Sequence, residues 1–86
     1  METITRDIRS IPLWLLRDYL VELGGKAESD TRVVGQGWTA QLTELEDFQL
    51  GDLKVAQVRL ELEGEDLALK QVSDGLEPRL LRAGAP

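Results

Sequence analysis

LKVAQVRLELE, residues 53–63, is the stretch of this 86-residue chain that decides its fold. From Ala56 onward apolar and polar side chains alternate, which predicts a strand with one face on a core and the other in water. The inward set is Ala56, Val58, Leu60 and Leu62, and the outward set is Gln57, Arg59, Glu61 and Glu63. Such a strand is typical of an antiparallel sheet. Leu53 and Val55 are out of phase, which predicts a bulge or twist near Val55–Ala56.

A helix is predicted over Ile11–Leu23, because leucines recur there every three or four residues along one stripe. Ser10 offers an N-cap hydroxyl, and Pro12 suits the first turn, where its missing N–H costs nothing. Gly24 and Gly25 follow at once. One of them is expected to adopt the left-handed conformation that closes the helix.

Three further strands are predicted where β-branched or alternating apolar residues occur: Glu2–Ile8, Arg32–Val34 and Trp38–Thr43. The polar segment Lys26–Thr31 is predicted to be a loop, and residues 35–37 and 51–52 are predicted to be turns.

A second helix is predicted over Glu65–Asp74, ended by Gly75 or Pro78, with a strand over Leu67–Val72 as the alternative. Together these elements predict one α+β domain over residues 1–86. It has a curved antiparallel sheet with two helices on one face, in the order β-α-β-β-β(-β)-α.

The composition narrows the possible functions. The chain has no histidine and no cysteine, which removes the commonest general base, the thiol nucleophile and the commonest transition-metal ligands. Its 16 acidic and 10 basic residues give a formal charge of −6, which disfavours binding to nucleic acid. The four carboxylates that could gather around a hard cation are interpreted as a solvated connection: Glu44, Glu46, Asp47 and Asp52. We therefore predict a cytoplasmic protein with no catalytic site, cofactor, metal site or membrane span.

Three segments together resemble a small bacterial domain: Ser10-Ile-Pro-Leu-Trp-Leu-Leu-Arg-Asp-Tyr-Leu-Val-Glu-Leu-Gly-Gly25, Gly51-Asp-Leu-Lys-Val-Ala-Gln-Val-Arg59 and Arg59-Leu-Glu-Leu-Glu-Gly-Glu-Asp66. That domain is the C-terminal half of a protein whose N-terminal half is similar to the small subunit of molybdopterin synthase, a ubiquitin-like sulfur carrier. The resemblance runs from about Thr5 to about Val72. It implies a fold like one repeat of the TATA-binding protein, without that protein's nucleic-acid function, and it brings no activity with it.

The resemblance also bears on sulfur transfer. A sulfur carrier needs a free C-terminal Gly-Gly, whereas Gly24-Gly25 is internal. We therefore expect the chain to work beside a carrier rather than as one.

Two functional hypotheses remain, and both use the few large apolar residues. The first is a non-catalytic protein-interaction domain, associated with a sulfur-carrier or molybdenum-cofactor system. It docks a protein partner or a second copy through an open sheet face or strand edge. Its candidate surface consists of Trp14, Tyr19, Val21, Trp38 and Phe48. Because the chain has few aromatic residues to fill a core, ordinary core is the favoured interpretation of Trp14, Trp38 and Phe48. Trp14 and Val21 are either the rim of the helix stripe or part of a contact surface. The alternative is a small-ligand-binding domain, with an apolar pocket between the sheet and the first helix lined by Trp14, Tyr19 and Trp38.

Overall fold

The structure, a computed structural model, describes residues 1–83. Seven strands and two helices follow one another along the chain: β1 (Glu2–Arg9), α1 (Leu13–Glu22), β2 (Lys26–Ser29), β3 (Arg32–Gly35), β4 (Trp38–Glu44), β5 (Phe48–Leu50), β6 (Leu53–Val55), β7 (Gln57–Gly64) and α2 (Asp66–Arg82). Five strands form the main sheet in the order β1-β7-β4-β3-β2, and every neighbouring pair is antiparallel. Strands β5 and β6 pair with each other as a separate hairpin. The predicted α+β class, with an antiparallel sheet and two helices, is confirmed; the likeness to a TATA-binding-protein repeat stays a prediction.

Strand β7 lies at the centre of the main sheet, between β1 and β4. Its inward residues Val58, Leu60 and Leu62 are buried, and the alternating residues between them are exposed. Inward residues of the neighbouring strands stand opposite them in register, with Ile8 beside Val58 and Leu42 beside Leu60. The alternation in the sequence therefore predicts the face of the sheet that both helices cover.

Helix α1 begins after a sharp turn at Ser10. Ser10 has a positive φ of 71°, and its N–H donates to the Ala56 carbonyl at 2.8 Å. The predicted N-cap role of Ser10 is wrong: Pro12 is the cap residue, and no side chain caps the helix. A left-handed conformation costs a non-glycine residue of the order of 1 kcal/mol, and the hydrogen bond to Ala56 holds it in place.

The other end of α1 closes as predicted. Gly24 adopts a φ of +103°, and its N–H donates to the Val21 carbonyl at 3.0 Å. The Gly25 N–H donates to the Leu20 carbonyl at 3.1 Å. These two bonds form a Schellman motif, which satisfies carbonyls that would otherwise lack a partner.

Helix α2 confirms the predicted helix and rules out the strand alternative, but it does not stop at Gly75 or Pro78. It continues to Arg82 because Leu76 and Leu80 are buried, and each contributes about 1.5–3 kcal/mol by its burial. That gain outweighs the cost of about 3 kcal/mol for a proline inside a helix. The predicted end at Asp74 is therefore wrong, because packing against the sheet overrides the local signal.

The strand predictions need two further corrections. Lys26–Ser29 is the edge strand β2 rather than part of a loop, and it pairs with β3. The predicted irregularity near Val55–Ala56 is a break between two strands, with β6 ending at Val55 and β7 beginning at Gln57. At this break the chain passes from the hairpin into the main sheet.

One cluster of apolar side chains lies between the helices and the sheet. Its buried members come from both helices and from four strands of the main sheet, and among residues 1–83 no polar or charged residue is buried. Trp38 is the one aromatic member in this described part of the chain, and only 5% of it is exposed. A Cβ at Gly35 would overlap the Trp38 indole ring, and a Cβ at Gly25 would lie 2.8 Å from its Cη2 atom. The ring thus fits only because glycines border it.

Candidate interaction surface

The five residues of the predicted surface differ in burial and in the element that carries them. Trp14 is 56% exposed and Val21 is 42% exposed, both on α1. They are seven residues apart, so they lie on the same side of that helix. Tyr19 packs partly buried against the core cluster, and Trp38 belongs to that cluster. Phe48 lies on the separate hairpin of β5 and β6. Trp38 is 5% exposed, and the role of all five residues stays a prediction.

A different group of apolar residues does share one surface. In the hairpin, Phe48 pairs with Val55 and Leu50 pairs with Leu53, so these four side chains lie on one face. The other face carries the pair Gln49 and Lys54. We call the first of these faces the hairpin apolar face. The sequence holds a signal for it, because a Gly51-Asp52 turn separates apolar residues spaced by two on either side.

The tip of the hairpin apolar face is the part that water reaches. Leu50 is 53% exposed and Leu53 is 68% exposed, and none of the four residues belongs to the core cluster. The base of the hairpin is held by Arg9. Its guanidinium lies 3.5 Å from the centre of the Phe48 ring, and its Nε donates to Gln57 Oε1 at 3.1 Å. This cation–π contact fixes the base while it leaves the tip uncovered.

The outer face of the main sheet is polar and includes one bidentate ion pair. Arg59 donates from Nε to Asp7 Oδ1 at 2.9 Å and from Nη2 to Asp7 Oδ2 at 3.2 Å. These hydrogen bonds, together with the positive charge of Arg59, hold the pKa of the Asp7 carboxyl below its ordinary value. A carboxylate that is kept ionised in this way is a poor proton acceptor near neutral pH, so the geometry suits a structural role.

The two edges of the main sheet differ in length. Strand β2 has four residues and a register shift, whereas β1 has eight residues in regular register. Each exposed edge offers unpaired backbone groups to another strand. On β1, however, Arg6 points to the helix side of the sheet and pairs with Glu77 of α2. An inward charge on an edge strand hinders pairing with another chain, so β1 is a poorer docking site than its length suggests.

A cleft with a volume of about 380 Å³ lies at the C-terminal end of α1. It is lined by Leu23, Gly24, Gln36, Trp38, Glu65, Leu67, Ala68 and Gln71. Of the three residues predicted to line a pocket, only Trp38 borders this cleft. Leu16 and Leu20, which have no exposed surface, occupy the space between the sheet and α1.

Within residues 1–83, no group of three or more aspartate or glutamate side chains is arranged to hold a metal ion. In this part of the chain no helix is both long enough and apolar enough to cross a membrane.

Comparison with known proteins identifies the family. The family described as archaeal MoaD-like protein matches residues 4–85, nearly the whole chain. No curated protein matches the chain. The match confirms the resemblance to proteins related to the molybdopterin-synthase small subunit. The chain therefore belongs to the family of archaeal MoaD-like proteins.

Proposed function

We propose that this chain is a non-catalytic protein-interaction domain that docks a partner protein of a sulfur-carrier or molybdenum-cofactor system. The observation that carries the proposal is the family match over residues 4–85, because the family suggests an association with that system. The hairpin apolar face supports it independently, since an exposed apolar surface on a small domain is typical of a protein contact.

The available side chains favour binding over catalysis. With histidine and cysteine missing from the sequence, an enzyme would need carboxylates, lysine, arginine or Tyr19 for its chemistry. The shifted pKa values of Asp7 and Arg59 arise from their pairing with each other, and this pair lies on the outer face of the sheet. Catalytic groups are instead expected to have perturbed pKa values within a cleft.

The test is gel filtration coupled to light scattering, with and without the purified small subunit of molybdopterin synthase from the same organism. We expect a stoichiometric complex with that subunit and none with an unrelated acidic protein of similar size. If the chain elutes unchanged beside the subunit, docking to the carrier is refuted.

A small-ligand-binding function is the second candidate. The cleft beside Trp38 has a volume of about 380 Å³, within the roughly 300–1,000 Å³ range of ligand sites. Failure of the carrier to bind would favour this candidate, and a thermal-shift screen of small molecules would then measure occupancy of the cleft.

A further inference from the structure

We propose that the hairpin apolar face is the docking element of the domain, and that its partner presents an apolar recess rimmed by lysine or arginine side chains. The inference rests on the proposed function and names the part of the chain that performs it. It commits to a protein partner of this chemistry rather than to a second copy of the chain.

The pairing register of β5 and β6 places two exposed leucines side by side. Because Leu50 stands opposite Leu53, their side chains form one continuous apolar end at the tip of the hairpin. The other large exposed apolar residues of the helices are spaced more widely, with Trp14 and Val21 seven positions apart on α1. Leu67 and Leu81, each 68% exposed, lie fourteen positions apart on α2. Only adjacent side chains can enter one recess together, so the hairpin tip fits a recess better than either helix does.

The way the hairpin is held also supports the inference. Neither β5 nor β6 pairs with a strand of the main sheet, and an isolated two-stranded hairpin is marginally stable in water. Its base is fixed by the Arg9–Phe48 contact and by a hydrogen bond at 2.9 Å from the Leu45 N–H to the Gln57 carbonyl. A fixed base reduces the entropy that the tip loses on binding. A partner that covered the tip would also remove the exposed Leu50 and Leu53 side chains from water.

The carboxylates near the hairpin indicate that its partner is positively charged at the contact. Acidic residues surround the hairpin on the chain and are all exposed: Glu44, Glu46, Asp47 and Asp52. In the described part of the chain, none of these four takes part in an ion pair. Lys54 is the only basic residue in the sequence from Glu44 to Val55, and Arg9 of β1 contacts the base of the hairpin at Phe48. Unpaired carboxylates at the turn and at the base of the hairpin are complementary to a recess with a positive rim.

The same charge argues against a second copy of the chain. Two copies whose hairpin apolar faces packed together would bring two sets of these carboxylates into one interface, in a protein that already has a formal charge of −6. Like charges across an interface are unfavourable and suppress the wrong partner. A basic rim on a different protein removes that repulsion.

The experiment measures binding of the molybdopterin-synthase small subunit by isothermal titration calorimetry, with the full chain and four double variants. The hairpin variant Leu50→Ser/Leu53→Ser should raise Kd at least about tenfold, the size expected when interface anchors are removed. Its matched control, Leu67→Ser/Leu81→Ser, removes two leucines of similar exposure and should leave Kd unchanged. Since all four leucines are exposed, each variant should melt within a few degrees of the wild type.

The charge is tested with a second matched pair. Glu46→Gln/Asp47→Asn should weaken binding about threefold in 50 mM NaCl and flatten its dependence on salt, because surface charges are screened as salt rises. The control Glu61→Gln/Glu63→Gln removes the same charge from the outer face of the sheet and should have little effect. Equal effects of the two pairs would overturn the assignment of a basic rim at the hairpin.

The outcomes separate the two proposals. If the wild type binds and the hairpin variant binds equally well, the hairpin is not the docking element, while the proposed function stands. If the wild type does not bind at all, the proposed function fails and this inference fails with it. Sedimentation of the chain alone gives the third outcome: a dimer that the hairpin variant abolishes would assign the surface to a second copy and overturn the partner named here.

Discussion

Substitution of Gly35 by alanine tests whether the Trp38 ring leaves no room for a side chain at position 35. The φ of Gly35 lies outside the left-handed range, so alanine costs nothing through the backbone. The new Cβ would instead overlap the Cε2, Nε1 and Cζ2 atoms of the Trp38 indole. Overpacking of a core costs about 1–3 kcal/mol, and a clash with a rigid ring belongs at the upper end, at about 3 kcal/mol. At about 4–8 °C per kcal/mol, Gly35→Ala should lower the melting temperature by about 12–24 °C.

A double-mutant cycle assigns that cost to the ring. Trp38→Leu should by itself cost about 2 kcal/mol, less than the roughly 3–5 kcal/mol of a tryptophan-to-alanine change. Combined with Gly35→Ala, however, it removes the atoms that the new Cβ would strike. The two changes should therefore be less destabilising together than their sum, by about 2 kcal/mol or more.

The assay is urea unfolding followed by far-ultraviolet circular dichroism, a signal that does not depend on the substituted tryptophan. Gly24→Ala serves as the control. No atom lies within 4 Å of its added Cβ, and its cost comes from the φ of +103°. Trp38→Leu should therefore not relieve it. If the Gly35 and Trp38 changes add to within about 0.5 kcal/mol, the indole does not determine the need for glycine and the reasoning is refuted.

Two further predictions concern α2 and the ion pair on the sheet. Pro78→Ala should stabilise the protein by about 1–2 kcal/mol, because Pro78 is exposed within a helix and alanine restores a backbone donor; a lower urea midpoint would contradict this. Nuclear magnetic resonance titration should find the pKa of Asp7 below its ordinary value, and Arg59→Gln should raise it toward that value; an unchanged pKa would show that Arg59 is not the cause. Because the folded-state pKa is the lower one, the stability that the pair contributes is present above the unfolded-state pKa and is lost as the pH falls through the folded-state pKa.

Local sequence patterns predict those helices and strands whose buried residues recur with the period of the element itself. The alternation in β4 and β7 and the leucine stripe of α1 are signals of this kind, and the structure confirms them. Strand β2 carries no such signal, because all four of its residues are exposed and its order comes from pairing with β3. The length of α2 is likewise set by tertiary burial of Leu76 and Leu80, against the local effect of Pro78.

The candidate surface was harder to predict than the fold, for two physical reasons. Trp38 is buried because glycines from separate segments, Gly25 and Gly35, leave room for its ring, and their proximity exists only in three dimensions. Conversely, Leu50 and Leu53 lie among acidic residues, and that acidity favours the interpretation of a solvated connection. Their shared face becomes evident only once the hairpin register is known.

Because the two tryptophans differ in exposure, their intrinsic fluorescence can report on two separate parts of the protein. Trp14 is 56% exposed, so a water-soluble quencher such as acrylamide should reach its excited state, whereas the same quencher should be shut out from Trp38 at 5% exposure. A Trp14→Phe chain would emit from the buried indole alone and would report the loss of the core. A Trp38-deficient chain would emit from the outer side of α1 and would report contacts made there.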